Sequence, residues 1–283
     1  MSRAARRRIL SRVFVGLCAL SVVASLVPLA LVLFYVLQQG FSSLTLDFFT
    51  RMPVPVGEKG GGMANAIVGT LILIGLAALL AVPVGVLAGI HLAEYGRTRF
   101  SFAVRFAADV LNGVPSIVIG IFAYGLVVLP VRQFSALAGG FALGVMMIPI
   151  VARTTEELML LVPQGYRDGA LALGATRARA LFTVVLPAAL PGVMTGILVA
   201  LARISGETAP LLFTAFGNRF WSTDLTQPMA SLPVQVYTYA ISPYDDWHRQ
   251  AWAGALVLVG VVTGLSLIAR AVTRRMERMH RGA

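Results

Sequence analysis

Six long runs of apolar residues organise this sequence and constrain its fold more than any other feature. They cover residues 13–37, 63–92, 102–130, 137–162, 187–216 and 251–269. A helix that crosses a bilayer needs about 20 predominantly apolar residues. Only 12% of the chain is charged, whereas a soluble domain is usually about one quarter charged. The pattern predicts an all-α, polytopic integral membrane protein with six transmembrane helices in a single domain, residues 1–283.

The basic residues predict the orientation of these helices. The first run is longer than the apolar core of about 7–15 residues in a signal peptide, so we expect an uncleaved helix. Fourteen arginines lie at the N-terminus, after the second and fourth runs, and at the C-terminus, whereas the alternate loops hold five basic residues. Because cytoplasmic loops are rich in Lys and Arg, both termini should be cytoplasmic. The net charge of +11 therefore reflects topology and does not indicate nucleic-acid binding.

The sequence offers no set of residues typical of an enzyme or a metal site. Its one cysteine and three histidines are far apart, and no nucleophile stands beside a base. A phosphate-binding loop needs the pattern G-x-x-x-x-G-K-[ST], but the only lysine, Lys59, follows Glu58. We expect no catalytic residue, no metal and no cofactor, and any ATP hydrolysis must occur on another chain.

A long cytoplasmic connection, residues 163–187, joins the fourth and fifth runs and is half apolar. From Tyr166 it reads YRDGALALGATRARALFTVVLP. This sequence predicts two short helices with a break at Gly174, the first lying at the membrane surface. On the spacing alone, an ordinary interfacial helix and a docking element for another subunit are both open.

The connection resembles the EAA loop of ABC importer permeases. Asp168, Gly169 and Ala170 stand where that family has Glu-Ala-Ala, Gly174 follows four residues later, and Leu186-Pro187 comes twelve residues after that glycine. In that family the loop is the coupling helix that docks on the ATP-binding subunit. Residues 111–125, 203–217 and 229–258 are in turn similar to the PstA-type permease subunits of phosphate importers.

The resemblance implies a fold, a function and a set of partners. The fold would be that of an ABC type I importer permease, multi-pass in the bacterial inner membrane and surrounded by lipid. The chain would be a transport subunit for inorganic phosphate rather than an enzyme. Its partners would be a PstC-type second permease, two PstB-type ATP-binding subunits and a periplasmic PstS-type binding protein. A permease for another oxyanion, such as molybdate or sulfate, and a stand-alone secondary transporter are the alternatives.

A charged stretch, ARISGETAP, interrupts the fifth apolar run. At about 1.5 Å per residue, Arg203 lies roughly 24 Å from Pro187 and 20 Å from Phe216, and hence near the middle of the membrane. A charge there costs about 2.5–3.5 kcal/mol even on the most lenient scale. Such a residue must therefore face a partner or water.

Two interpretations of Arg203 follow. Glu207, at i+4 on the same helix face, could neutralise the arginine in a purely structural pair. The second interpretation is a place on the substrate pathway, and it is favoured by Gly206 and Pro210, which predict a broken helix. Transporters commonly bind substrate at such breaks, and the planar fork of arginine can bind two phosphate oxygens.

Two further groups of polar residues lie within the apolar runs. Arg153 and Glu157 repeat the i, i+4 spacing in the fourth run, where Arg153 either lines the pathway or extends toward the cytoplasmic interface. Asp109, in the third run, is a possible partner of Arg153. Asn112 and Ser116 flank a predicted helix break in that run and are candidates to line the pathway.

Overall fold

The computed structural model describes residues 3–58 and 60–281, and these residues form helices, turns and loops but no strand. The helices are α1 (Arg3–Ser43), α2 (Leu46–Thr50), α3 (Ala64–Glu94), α4 (Arg99–Gly113), α5 (Ser116–Ala123), α6 (Leu129–Val131), α7 (Ala136–Leu160), α8 (Gln164–Ala172), α9 (Arg177–Ala180), α10 (Leu186–Ile204), α11 (Ala209–Leu212), α12 (Leu232–Ala240) and α13 (Asp245–Arg281).

Five helical stretches are long and apolar enough to cross a membrane. They are Leu10–Ser43, Ala64–Glu94, Ala136–Leu160, Arg177–Ile204 and Asp245–Ala271. A sixth candidate is broken: Arg99–Gly113 and Ser116–Val131 pass the same test together but are bent by 107°. The described residues therefore contain five candidate spans, or six if the bent pair crosses once.

The bend lies where the sequence predicts a break in the third run, although the run as a whole is not one helix. Val114, at the end of α4, has an extended backbone with ψ of 130°. The ring of Pro115 disfavours the helical conformation in the residue before it. Asn112 is thereby left in the last turn of α4, and Ser116 becomes the first residue of α5.

The fifth span differs from its predicted bounds at both ends. It starts at Arg177, because residues 181–185 form a π-helical segment that joins α9 to α10. A wider turn of this kind accommodates Pro187, whose ring would otherwise clash with the preceding turn. The same arrangement precedes Pro130 at residues 124–128. At its other end α10 stops at Ile204, near the break that Gly206 and Pro210 predict.

Glycines bring the central helices into direct contact. A Cβ on Gly85 would lie 2.7 Å from Val151 Cβ, and one on Gly89 would lie 2.5 Å from Thr155 Cβ. Each of these two glycines of α3 contacts a residue of α7 that is 66 positions later, so the two helices run parallel. Close packing of this kind is expected where helices associate within a bilayer.

α10 packs on the same helix in the opposite direction. Gly192 contacts Leu158 and Gly196 contacts Thr154. Gly260 and Gly264 of α13 make no such contact among the described residues. A Cβ added to either residue would have no described heavy atom within 4 Å outside the helix backbone.

A smaller core closes the end of the bundle at which α3 begins. Phe48, Met63, Leu232, Tyr239 and Trp247 are buried there. The Leu232 N–H donates to Thr70 Oγ1 at 2.8 Å and fixes α12 on the first turns of α3. α1 packs against α13, where the rings of Tyr35 and Trp252 meet edge to face at 5.1 Å.

Candidate functional site

Arg203 lies in the last turn of α10 and is exposed on the surface of the chain. It makes no ion pair or side-chain hydrogen bond with any residue that the structure describes. The expected i, i+4 pair with Glu207 is not formed, because the helix ends at Ile204 and Glu207 lies in the irregular segment that follows. Glu207 is half-buried.

The packing of α10 against α7 fixes the depth of Arg203 in the bundle. Gly196 is level with Thr154, and Arg203 lies seven residues, or about 10 Å, further along α10. The antiparallel register therefore places Arg203 level with about Met147, near the middle of the 25-residue helix α7. Arg153, by the same register, lies about 9 Å closer to the end of α7 where residues 163–187 begin.

The two helix breaks are brought together by one close contact. A Cβ on Gly120 of α5 would lie 2.7 Å from Pro210 Cα of α11. Ser116 begins α5 one turn before this contact, and Glu207 precedes Pro210 by three residues. Asn112 is exposed in the turn before the break. The helices that follow the two breaks, α5 and α11, thus pack against each other.

Four charged side chains form a network between α4 and α7. The Glu156 carboxylate, only 3% exposed, accepts from Arg105 Nε at 2.5 Å and from an Arg153 terminal nitrogen at 2.6 Å. Arg153 Nε lies 3.3 Å from Asp109 Oδ1, as the sequence suggested. Arg105 also donates to the carbonyls of Leu92 at 3.1 Å and Gly96 at 2.7 Å. Two positive and two negative charges balance.

The partner of Arg153 differs from the one its spacing suggests. Glu156, at i+3, faces α4, whereas Glu157 points outward and is exposed. Sequence spacing identified neither Glu156 nor the part played by Arg105. The only signal for them is that both charges lie within apolar runs, where a charge requires a partner.

The Glu156→Ala variant should lose stability, because it leaves two arginines half-buried without their common carboxylate. Breaking a buried ion pair by removing one partner costs about 3–5 kcal/mol. We expect a lower midpoint of thermal unfolding in detergent and a lower yield of folded protein. Glu157→Ala is the matched control and should unfold at the wild-type temperature. Equal midpoints for both variants would contradict the structural role of the network.

The connection after α7 forms two short helices separated at Gly174, as the sequence predicts. Gly174 has φ of +81° and ends α8 in a conformation that favours glycine. Asp168 and Gly169 are exposed on α8, and Ala170 is half-buried. Leu186 and Pro187 open α10 after the π-helical segment. The loop thus presents α8 as a separate element at one end of the bundle.

One side chain attaches α8 to the ends of α3 and α7. Arg167 forms an ion pair with Glu94, the last residue of α3, and also approaches the Met159 carbonyl at 3.5 Å. Both residues line one side of a cleft of about 470 Å³. Sequence reasoning missed Glu94, because it falls just outside the predicted second run. Among the described residues, no three His, Cys, Asp or Glu side chains are grouped so that they could hold a metal ion.

Comparisons with known proteins agree on one kind of protein. The family model described as "Binding-protein-dependent transport system inner membrane component" matches residues 81–278. The phosphate transport system permease protein PstA of Haemophilus influenzae is 44% identical over 265 residues, which cover 93% of this chain and 94% of that protein. A probable phosphate transport system permease protein PstA of Methanocaldococcus jannaschii is 36% identical over 254 residues, covering 89% of this chain and 90% of that protein.

Solved structures show the same fold at low sequence identity. A chain of a bacterial alginate ABC transporter has a TM-score of 0.67 at 14% identity, and the match covers 97% of this chain and 98% of that one. A chain of the inward-facing MetNI methionine ABC transporter has a TM-score of 0.60 at 20% identity, with 75% and 93% covered. The helical arrangement described above is therefore found in chains of ABC transporters.

Proposed function

The chain belongs to the family of binding-protein-dependent transport system inner membrane components, and we propose that it is the PstA-type permease subunit of an ATP-driven phosphate importer. It is a transport subunit and not an enzyme, since ATP hydrolysis in this family takes place on separate ATP-binding subunits. It is a multi-pass inner membrane protein that works with a binding protein and an ATPase. We assign it to the bacterial inner membrane.

Specific partners follow from the same proposal. They are a PstC-type second permease, two PstB-type ATP-binding subunits and a PstS-type periplasmic binding protein. The similarity to PstA proteins over 93% of the chain supports this set. The absence of a phosphate-binding loop in the sequence is consistent with ATP hydrolysis on another chain.

We further propose six transmembrane spans with both termini in the cytoplasm. The parallel packing of α3 and α7 supports this topology, because two parallel spans require an odd number of crossings between them. The bent pair, Arg99–Gly113 and Ser116–Val131, then crosses once. The antiparallel packing of α10 on α7 agrees with the next crossing, and the excess of arginine at the termini agrees with their cytoplasmic location.

The observation that carries the proposed function is Arg203, exposed at mid-depth beside a helix break without a charge partner among the described residues. Leaving such a charge in a membrane is costly, so it should face an anion or a water-filled path. Its planar fork suits two oxygens of a phosphate. Glu207, half-buried nearby, would weaken phosphate binding enough to allow release.

Other residues would line the path on either side of Arg203. Asn112 and Ser116 flank the break that packs beside α11 and offer neutral hydrogen-bonding groups. Arg153 and Glu157 lie closer to the cytoplasmic end of α7. There Arg153 is already held by Glu156 and Asp109, so we assign it to the cytoplasmic exit and not to the main site.

The loop after α7 would couple the permease to the ATPase. We propose that α8 docks on an ATP-binding subunit through the segment that holds Asp168, Gly169 and Ala170. Gly174 would end the docking helix, and Leu186-Pro187 would start the following span. This docking role is supported by the position of α8 outside the bundle core. All residues of α8 are described, and none of them is fully buried.

Radiolabelled phosphate uptake tests the proposed substrate. Cells that lack all other phosphate carriers should lose uptake when this gene is deleted and regain it on complementation. A tenfold excess of unlabelled molybdate or sulfate should leave the rate unchanged. Competition by either ion, together with poor phosphate uptake, would show that the chain serves a different oxyanion.

A further inference from the structure

The docking helix α8 meets the membrane helices in two separate places. None of the residues Gln164–Ala172, all described by the structure, is buried. Its backbone neighbours are α9 and the π-helical segment that follows. These two segments begin the fifth span, whereas α3 and α7 make no comparable backbone contact with α8 among the described residues.

Arg167 connects α8 to α3 and α7. Its guanidinium pairs with the Glu94 carboxylate at the end of α3, and these side chains are only 16% and 22% exposed. The same guanidinium approaches the Met159 carbonyl near the end of α7 at 3.5 Å. Within the described part of the chain, no other ion pair joins α8 to another helix.

The shielding of this pair makes it a firm connection. Exposed surface ion pairs contribute little, because water screens the two charges and long side chains must be held in place. The Glu94 and Arg167 side chains are instead mostly covered by the chain, beside the cleft that they line with Ala93, Leu160 and Leu171. In such a setting removal of either partner leaves the other charge poorly solvated.

The end of α3 is bound both to the docking helix and to the charged network between α4 and α7. Glu94 binds the docking helix, while the carbonyls of Leu92 and Gly96 accept from Arg105 of the charged network. Gly85 and Gly89 of α3 lie against α7 with no room for a side chain between the helices. A displacement of α8 that pulls on Glu94 must therefore move α3 together with α7 and with the network that holds Arg153.

We propose that the Glu94–Arg167 ion pair is the link that carries movement of the docking helix to α3 and α7, in addition to the contacts of α8 with the fifth span. Both are positioning residues: they touch neither phosphate nor ATP. The inference rests on the proposed function, since it requires an ATPase that moves α8. Loss of the pair should leave ATP hydrolysis running while less phosphate is imported for each ATP consumed.

The test measures ATP hydrolysed per phosphate imported by the complete importer in lipid vesicles. Glu94→Gln and Arg167→Gln should each raise this ratio about fivefold or more, the lower end of typical coupling between sites. The swap of Glu94→Arg with Arg167→Glu should restore the ratio to within about twofold of wild type. Arg97→Gln, a neighbouring exposed arginine, is the matched control and should keep the wild-type ratio.

The ratio is independent of how many complexes assemble, so a loss of yield does not imitate uncoupling. Wild-type ratios in both neutral variants would overturn the inference, and so would a charge swap that stays uncoupled. If neither neutral variant assembles, the charge-swap variant alone tests the inference. A charge-swap variant that fails to assemble, or that stays uncoupled, contradicts the proposed role of the ion pair. A wild-type complex that imports no phosphate with ATP would instead refute the proposed function.

Discussion

Phosphate uptake should fall on the order of 100-fold when Arg203 is replaced by glutamine, while the complex assembles at normal levels. The magnitude corresponds to two charge-assisted hydrogen bonds at about 1.5 kcal/mol each. Assembly is spared because Arg203 makes no ion pair in the described part of the chain. Uptake of radiolabelled phosphate, normalised to assembled complex, measures the effect.

A double variant separates a pathway role for Arg203 from a structural one. If Arg203 only balanced Glu207, adding Glu207→Gln to Arg203→Gln would restore uptake, since no charge is then stranded. We expect the double variant to stay as defective as Arg203→Gln alone. Arg203→Lys should also be impaired, because an ammonium group lacks the bidentate fork. Near-normal uptake by the double variant would remove Arg203 from the substrate path.

Ala170→Glu should separate the ATPase from the permease. Ala170 lies half-buried in the middle of α8, and a bulky charge there would prevent the helix from entering a groove on the ATP-binding subunit. We expect loss of phosphate uptake to background, with either loss of the ATP-binding subunits from the purified complex or ATP hydrolysis that phosphate transport no longer accompanies. Co-purification and ATPase assays distinguish these two routes.

A second change on the same helix controls for charge alone. Gln164→Glu adds the same charge at the exposed start of α8 without adding bulk, and should keep most of the uptake. Normal assembly and uptake in Ala170→Glu would show that α8 is an interfacial helix with no docking role.

Local chemistry made much of this fold predictable from sequence. Long apolar runs located the helices, since few other structures satisfy the backbone inside a bilayer. Pro115 and Pro210 marked the two breaks, because proline restricts its own backbone and that of the preceding residue. Gly174 marked the end of α8, because glycine readily adopts the positive φ that the structure shows at this position.

The tertiary partners of the charged residues were not predictable in the same way. Spacing suggested Glu157 and Glu207, each at i+4, as partners for Arg153 and Arg203. The structure replaces the first with Glu156, whose side chain faces α4, and removes the second because α10 ends at Ile204. The partner of each charged residue depends on which helix packs against which face, and a single sequence does not show this packing.

The angle of the bend, 107°, and the π-helical segments were missed for a related reason. Hydropathy averages over about 20 residues and registers neither a change of direction nor one extra residue per turn. The ion pair of Glu94 with Arg167 joins residues 73 positions apart, beyond any local pattern. The ion pair on which the proposed coupling path depends could therefore be identified only from the structure.

Phosphate transport by purified components in lipid vesicles tests the central claim most directly. Vesicles that hold this chain with its second permease and ATP-binding subunits should take up labelled phosphate only when the binding protein and hydrolysable ATP are both supplied. Vesicles with this chain alone should take up none, with or without an ion gradient. Uptake by the chain alone, driven by an ion gradient and independent of ATP, would contradict the account and identify a secondary transporter.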